Sequence, residues 1–119
     1  MYVIKNENQL GMFTENIKTQ MRKGMLDYCI LLCLSSKEAY TAELIDKLRQ
    51  ANMVVVEGTL YPLLSRMKSN EQLDYHWVES NSGPPRKYYF ITERGRQVLN
   101  EMEQEWISIN NSLDILRKN

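Results

Sequence analysis

Histidine is nearly absent from this chain: His76 stands alone among 119 residues. Nucleophilic chemistry of the Ser-His or Cys-His kind therefore lacks its partner set. Cysteine is scarce too, and Cys29 and Cys33 lie too far from His76 to form a zinc pattern. There is no glycine-rich phosphate loop. No apolar run approaches the ~20 residues that span a bilayer. The N-terminus lacks the basic start and apolar stretch of a secretory signal. Internal repeats and low-complexity tracts are missing as well. The expectations are a protein without enzymatic activity, metal, cofactor or membrane partner, located in the cytoplasm. The two thiols, four residues apart on one helical face, read as free and buried, which suits a reducing compartment.

An excess of one charge is also missing, since fifteen basic residues balance fifteen acidic ones. Most compact nucleic-acid binders are basic overall, but phosphates feel the local field rather than the sum. Arg86, Lys87, Arg94 and Arg96 face only Glu93 between positions 83 and 96, a local net of +3. Positions 97–119 hold four acids and two bases. Glu101, Glu103 and Glu105 read as a solvated helix face.

What is present is a sequence of periodicities. Residues 1–8 read as loosely ordered. Leu10, Phe13, Ile17 and Met21 recur at helical spacing. A second, strongly apolar helix is predicted over 22–35. Thr41 is placed to cap a third over 42–51, with Leu44, Ile45 and Leu48 inward. A fourth is predicted over about 57–69 and buries Leu60, Leu63, Leu64 and Met67. Pro62 should loosen its first turn. The period then changes to alternation: Leu73, Tyr75 and Trp77 read as the inner face of a strand. Positions 80–85 read as a loop, and 87–91 as a second, aromatic-rich strand. Thr92 reads as the N-cap of a long last helix, with Glu93 in its first turn.

After the N-terminal helix, three helices, a hairpin and a long helix describe a mainly α, α+β architecture: a winged helix-turn-helix with a C-terminal dimerisation helix. The domain reading is an N-terminal extension over 1–20, helical from about 10; a DNA-binding winged helix over 21–92; and a dimerisation helix over 93–119. In such a fold the second helix of the pair enters the major groove and the hairpin flanks it. The reading helix would expose Glu57, Thr59, Tyr61, Ser65, Arg66 and Lys68, and the wing Arg86, Lys87 and Tyr88. Tyr40 and Thr41 open the first helix of the pair. These are the residue types that phosphate contacts need. The rival reading is a winged-helix module whose wing binds protein rather than DNA.

In the last helix Leu99, Met102, Trp106, Ile109, Leu113 and Leu116 are spaced 3, 4, 3, 4, 3. That is a coiled-coil seam, and pairing with a second copy is the economical way to cover it. Leu10, Phe13 and Ile17 are expected to assist the homodimer.

Three segments resemble the signature of the PadR family of bacterial regulators: Glu57-Gly58-Thr59-Leu60-Tyr61-Pro62-Leu63-Leu64, Gly83-Pro84-Pro85-Arg86-Lys87-Tyr88-Tyr89 and Ile91-Thr92-Glu93-Arg94-Gly95. The likeness runs from about residue 22 to 116. It implies a winged-helix dimer that represses transcription, with 58–62 and Arg66 on the recognition helix and Arg86, Lys87 and Tyr88 on the wing. In short members of the family, a tryptophan placed like Trp106 can line a cavity between subunits and stack on a flat aromatic effector.

Overall fold

A computed structural model describes residues 6–118. The element order is α1 (Glu7–Lys23), α2 (Leu26–Ser36), α3 (Thr41–Gln50), α4 (Glu57–Ser69), β1 (Leu73–Ser80), β2 (Gly83–Ile91) and α5 (Glu93–Arg117). This is the mainly helical winged-helix architecture with a long last helix that the periodicities imply.

Several boundaries differ from the sequence reading, each for a local reason. The first helix begins at Glu7, because the Asn6 side chain accepts the Gln9 N–H at 2.9 Å and caps it. Of the loose order expected over 1–8, positions 1–5 lie outside the described residues and 7–8 are helical. The next break falls at Gly24 and Met25 rather than at 21, so α1 crosses the expected domain boundary. The N-cap of α3 is Tyr40 rather than Thr41, and its N–H is bound by the Glu43 carboxylate at 3.2 Å. Helix α4 runs unbroken through Pro62. The bond this proline forgoes would reach the carbonyl of Gly58, an exposed residue that water can satisfy. The wing loop is shorter than composition suggests, because Gly83, Pro84 and Pro85 already belong to β2. Pro84 and Pro85 fall at the irregularity between Val78 and Ser80, where the register pairs neither of them, a place a strand tolerates proline.

Helices α3 and α4 end alike. Asn52 and Glu71 follow their caps in the left-handed region, each at φ 62°. Met53 N–H reaches the Leu48 carbonyl at 2.8 Å, and Gln72 N–H reaches that of Met67 at 2.9 Å. These are Schellman closures, with asparagine and glutamate where glycine is usual.

The core lies where α2, α3 and α4 meet the base of the hairpin. Ile30, Leu31, Leu44, Leu48, Leu60, Leu64, Met67 and Leu73 are fully buried there. Cys29 and Cys33 are half-buried against it and free. Burial pushes both thiols up, away from the thiolate form.

The hairpin pairs antiparallel with Tyr75 opposite Tyr89 and Trp77 opposite Lys87. Its alternation does not make a half-buried strand to the end. Tyr75 is half-buried, but Trp77 is 61% exposed, because the strands run past the helical layer that covers their base. Ala39 forms an isolated bridge to Tyr89, exchanging both backbone bonds at 3.1 and 2.8 Å. That bridge stitches the α2–α3 connection to the wing.

Helix α5 is anchored over its first half. Thr92 Oγ1 accepts the Gly95 N–H at 3.0 Å, and Gly95 is the one buried residue of this helix among those described. Leu99 and Met102 pack partly on the core of their own protomer. From Trp106 onward the apolar residues Trp106, Ile109, Leu113 and Leu116 are exposed. In α1, Leu10 and Ile17 are exposed, Phe13 is half-buried and no residue is buried.

Candidate nucleic-acid interface

A cleft of about 520 Å³ opens between the start of α3, the outer face of α4 and the wing. It collects Tyr40 and Thr41 from α3, Glu57, Tyr61 and Ser65 from α4, and Arg86 and Lys87 from β2. Residues distant in sequence thus form one polar and aromatic face. Tyr61 and Ser65 share that face because they are four apart on a helix.

Two cations are held in place by aromatic rings. The Arg86 guanidinium lies 4.4 Å from the Tyr40 ring centre. Tyr88 meets Tyr40 edge-on at 5.2 Å, so it supports the arrangement from behind rather than lining the cleft. Lys87 Nζ sits 4.5 Å from the Tyr75 ring and 5.5 Å from that of Trp77. Such contacts orient a cation while leaving its hydrogen-bond donors available. Neither Arg86 nor Lys87 enters an ion pair within the geometric limit among the described residues. On the hairpin face opposite Lys87, which Arg86 and Tyr88 share, His76 Nε2 lies 2.8 Å from Glu38 Oε2 and ties the wing to the α2–α3 connection.

The other expected site residues are placed elsewhere. Arg66 Nη2 donates to both carboxylate oxygens of Asp27, at 2.7 and 2.6 Å. It therefore fastens α4 to α2. Lys68 turns to Asp74 at 3.8 Å and to the Tyr75 ring at 5.4 Å. Thr59 lines a separate groove with Thr19, Arg22 and Lys23. Two cations of the basic segment are also diverted: Arg94 lies 3.7 Å from Glu71, and Arg96 donates to the Ser35 carbonyl at 3.5 Å.

The residue overlooked in the sequence is Trp77, which lines the cleft beside Lys87. Strict alternation assigned it to the buried face of β1. The missing signal was the length of the strand relative to the helices beneath it.

No group of three potential metal ligands occurs among the described residues, and none of the described helices is long and apolar enough to cross a membrane.

The fold has close counterparts among known proteins. Residues 30–101 match the transcriptional regulator PadR-like family. A PadR-like transcription factor from Bacteroides fragilis is 51% identical, with 85% of this chain and 98% of that one covered at a TM-score of 0.74. A PadR-like transcriptional regulator from Bacillus cereus is 38% identical over 84% of this chain and 98% of its own, again at 0.74. A PadR family regulator from Eggerthella lenta is 31% identical, covering 87% of each chain at 0.76. A winged helix with a cationic cleft beside its second helix, and a family match over more than half of its length, make this chain a member of the PadR-like family of DNA-binding transcriptional regulators, which are not enzymes.

Proposed function

We propose that the protein is a homodimeric repressor that reads a palindromic operator. In this reading α4 enters the major groove and presents Tyr61 and Ser65 to base edges. Arg86 and Lys87 hold the flanking phosphates, with Tyr40 and Thr41 at the near rim. The observation that carries it is the convergence of Arg86 and Lys87 with Tyr61 and Ser65 around one open cleft. Net neutrality is no obstacle, because Arg86 and Lys87 have no carboxylate partner among the described residues, and phosphate feels that local charge rather than the sum.

The dimer is held by α5, with Trp106, Ile109, Leu113 and Leu116 meeting their copies and Leu10, Phe13 and Ile17 assisting. Two-fold symmetry then sets half-sites about one helical turn apart, roughly 34 Å. A flat aromatic effector stacking on Trp106 would regulate only if it bound one spacing of the reading helices better than another. Its support is the 39% exposure of that ring. Titration with planar dyes, compared between the wild type and Trp106→Phe, tests it; equal responses would remove the effector.

Selection of bound duplexes from random DNA tests the central reading. A palindrome should emerge, bound with an affinity that falls steeply with salt as counterions are released. Enrichment of no sequence, with binding indifferent to salt, would favour a protein-binding wing instead.

A further inference from the structure

Trp77 is the largest apolar side chain on the wing, and the reading above gives it no role. It is 61% exposed, whereas Tyr89, on the same face of the hairpin, is 7% exposed. Large aromatic surface left in water marks a contact surface when neighbouring residues extend it. Here they do. Trp77, Pro84 and Pro85 line a shallow hollow at the wing tip, together with Glu79. The prolines lie in β2 and stiffen the arm that carries the ring. Trp77 also lines the cleft of Tyr61, Ser65 and Arg86, so hollow and cleft are continuous. Lys87 Nζ stands 5.5 Å from the ring.

An apolar face bordered by cations and continuous with a base-reading face fits duplex DNA. With α4 in a major groove, the neighbouring groove on the same side of the duplex is the minor one. Its walls are deoxyribose rings, apolar and uncharged, and its rims are phosphates. The carboxylate of Glu79 opposes phosphate in the hollow, so the hollow suits sugar walls while Lys87 and Arg86 meet the rims. We propose that Trp77, backed by Pro84 and Pro85, is a DNA contact that lies against the minor-groove wall beside each half-site. This rests on the DNA-binding reading above and adds an apolar, salt-insensitive component to it.

The test uses the full chain and the palindromic duplex selected from random DNA. Indole emission of the wild type should be quenched and shifted on saturation, and Trp77→Phe should lose that change. Trp77→Ala should weaken binding about tenfold with an unchanged salt slope, because an apolar contact releases no counterions. Trp77→Phe should keep most of the affinity. Replacing flanking G·C pairs by inosine·C deletes the minor-groove amino group and leaves the major groove intact. That change should alter wild-type affinity more than that of Trp77→Ala. The proposal is overturned by unchanged emission on saturating DNA, by wild-type affinity in Trp77→Ala, or by a salt slope that falls in that variant. Those outcomes leave the DNA-binding reading standing; a wild type that binds no duplex removes both.

Discussion

Gly95 shows how much one missing side chain decides. A Cβ at this position would collide with the Gln72 carbonyl and come within 2.7 Å of Ile91 Cγ1. The carbonyl is backbone and already accepts the Thr92 N–H at 3.1 Å, so it has no room to move. Gly95→Ala is therefore expected to destabilise the fold by about 3 kcal/mol and lower Tm by roughly 10 °C; a calorimetric Tm equal to that of the wild type would refute the close packing. Tyr28 offers a residue-level test in pH. Burial, then a hydrogen bond to Glu103, pushes its hydroxyl from 10.0 up to about 12. An acid whose pKa is raised by folding stabilises the native state below the unfolded pKa, and that contribution disappears as pH rises from about 10 to 12. Tyr28→Phe should flatten the stability curve in that window, as followed by urea unfolding at stepped pH. A loss of the same steepness in the variant would assign the effect to other tyrosines.

Among the elements, α4 divides its labour by face. One side meets the cleft, while Arg66 on another is held by Asp27 of α2. The two cations Arg66 and Lys87 should therefore behave differently. Arg66→Ala should lower stability by about 1 kcal/mol, the scale of a partly exposed ion pair, and leave the salt dependence of DNA binding alone. Lys87→Ala should preserve stability, weaken binding on all sequences and reduce the salt slope by about one. Measured slopes that fall equally in both variants would return Arg66 to the interface. The wing is a second divided element, aromatic at its base and cationic and apolar at its tip. Its base is stitched to Ala39, which is why Tyr40 arrives under Arg86.

At the scale of the whole molecule, the outer half of α5 is the feature that a single chain leaves unsatisfied. Trp106, Ile109 and Leu113 are 39, 43 and 38% exposed along one stripe. Burying each against a second copy would contribute roughly 1.5–3 kcal/mol. Leu99 and Met102 already lean on their own core, so the proposed seam between copies would begin nearer the C-terminal end than the heptads alone imply. Ile109→Asp would place an unpaired charge in that seam. The expected result is a folded monomer or an unfolded chain in light scattering at micromolar dilution, against a dimer for the wild type. A stable dimer of Ile109→Asp would move the interface elsewhere.

Helix number, the hairpin and the long last helix were all legible in the chain, because apolar periods of 3.6 and 2 are local properties. So was the Thr92 cap, a short-range bond between neighbours. The family likeness was legible for the same reason, since its motifs are contiguous. Which cations are available for DNA was not legible. Arg66, Arg94 and Arg96 look like Arg86 in sequence, yet Asp27, Glu71 and the Ser35 carbonyl lie 39, 23 and 61 positions away from their respective partners. Trp77 was misread because alternation reports a face but not whether anything covers it. Long-range packing decides both, since charge pairing and burial depend on what the fold brings near, not on what the chain places adjacent.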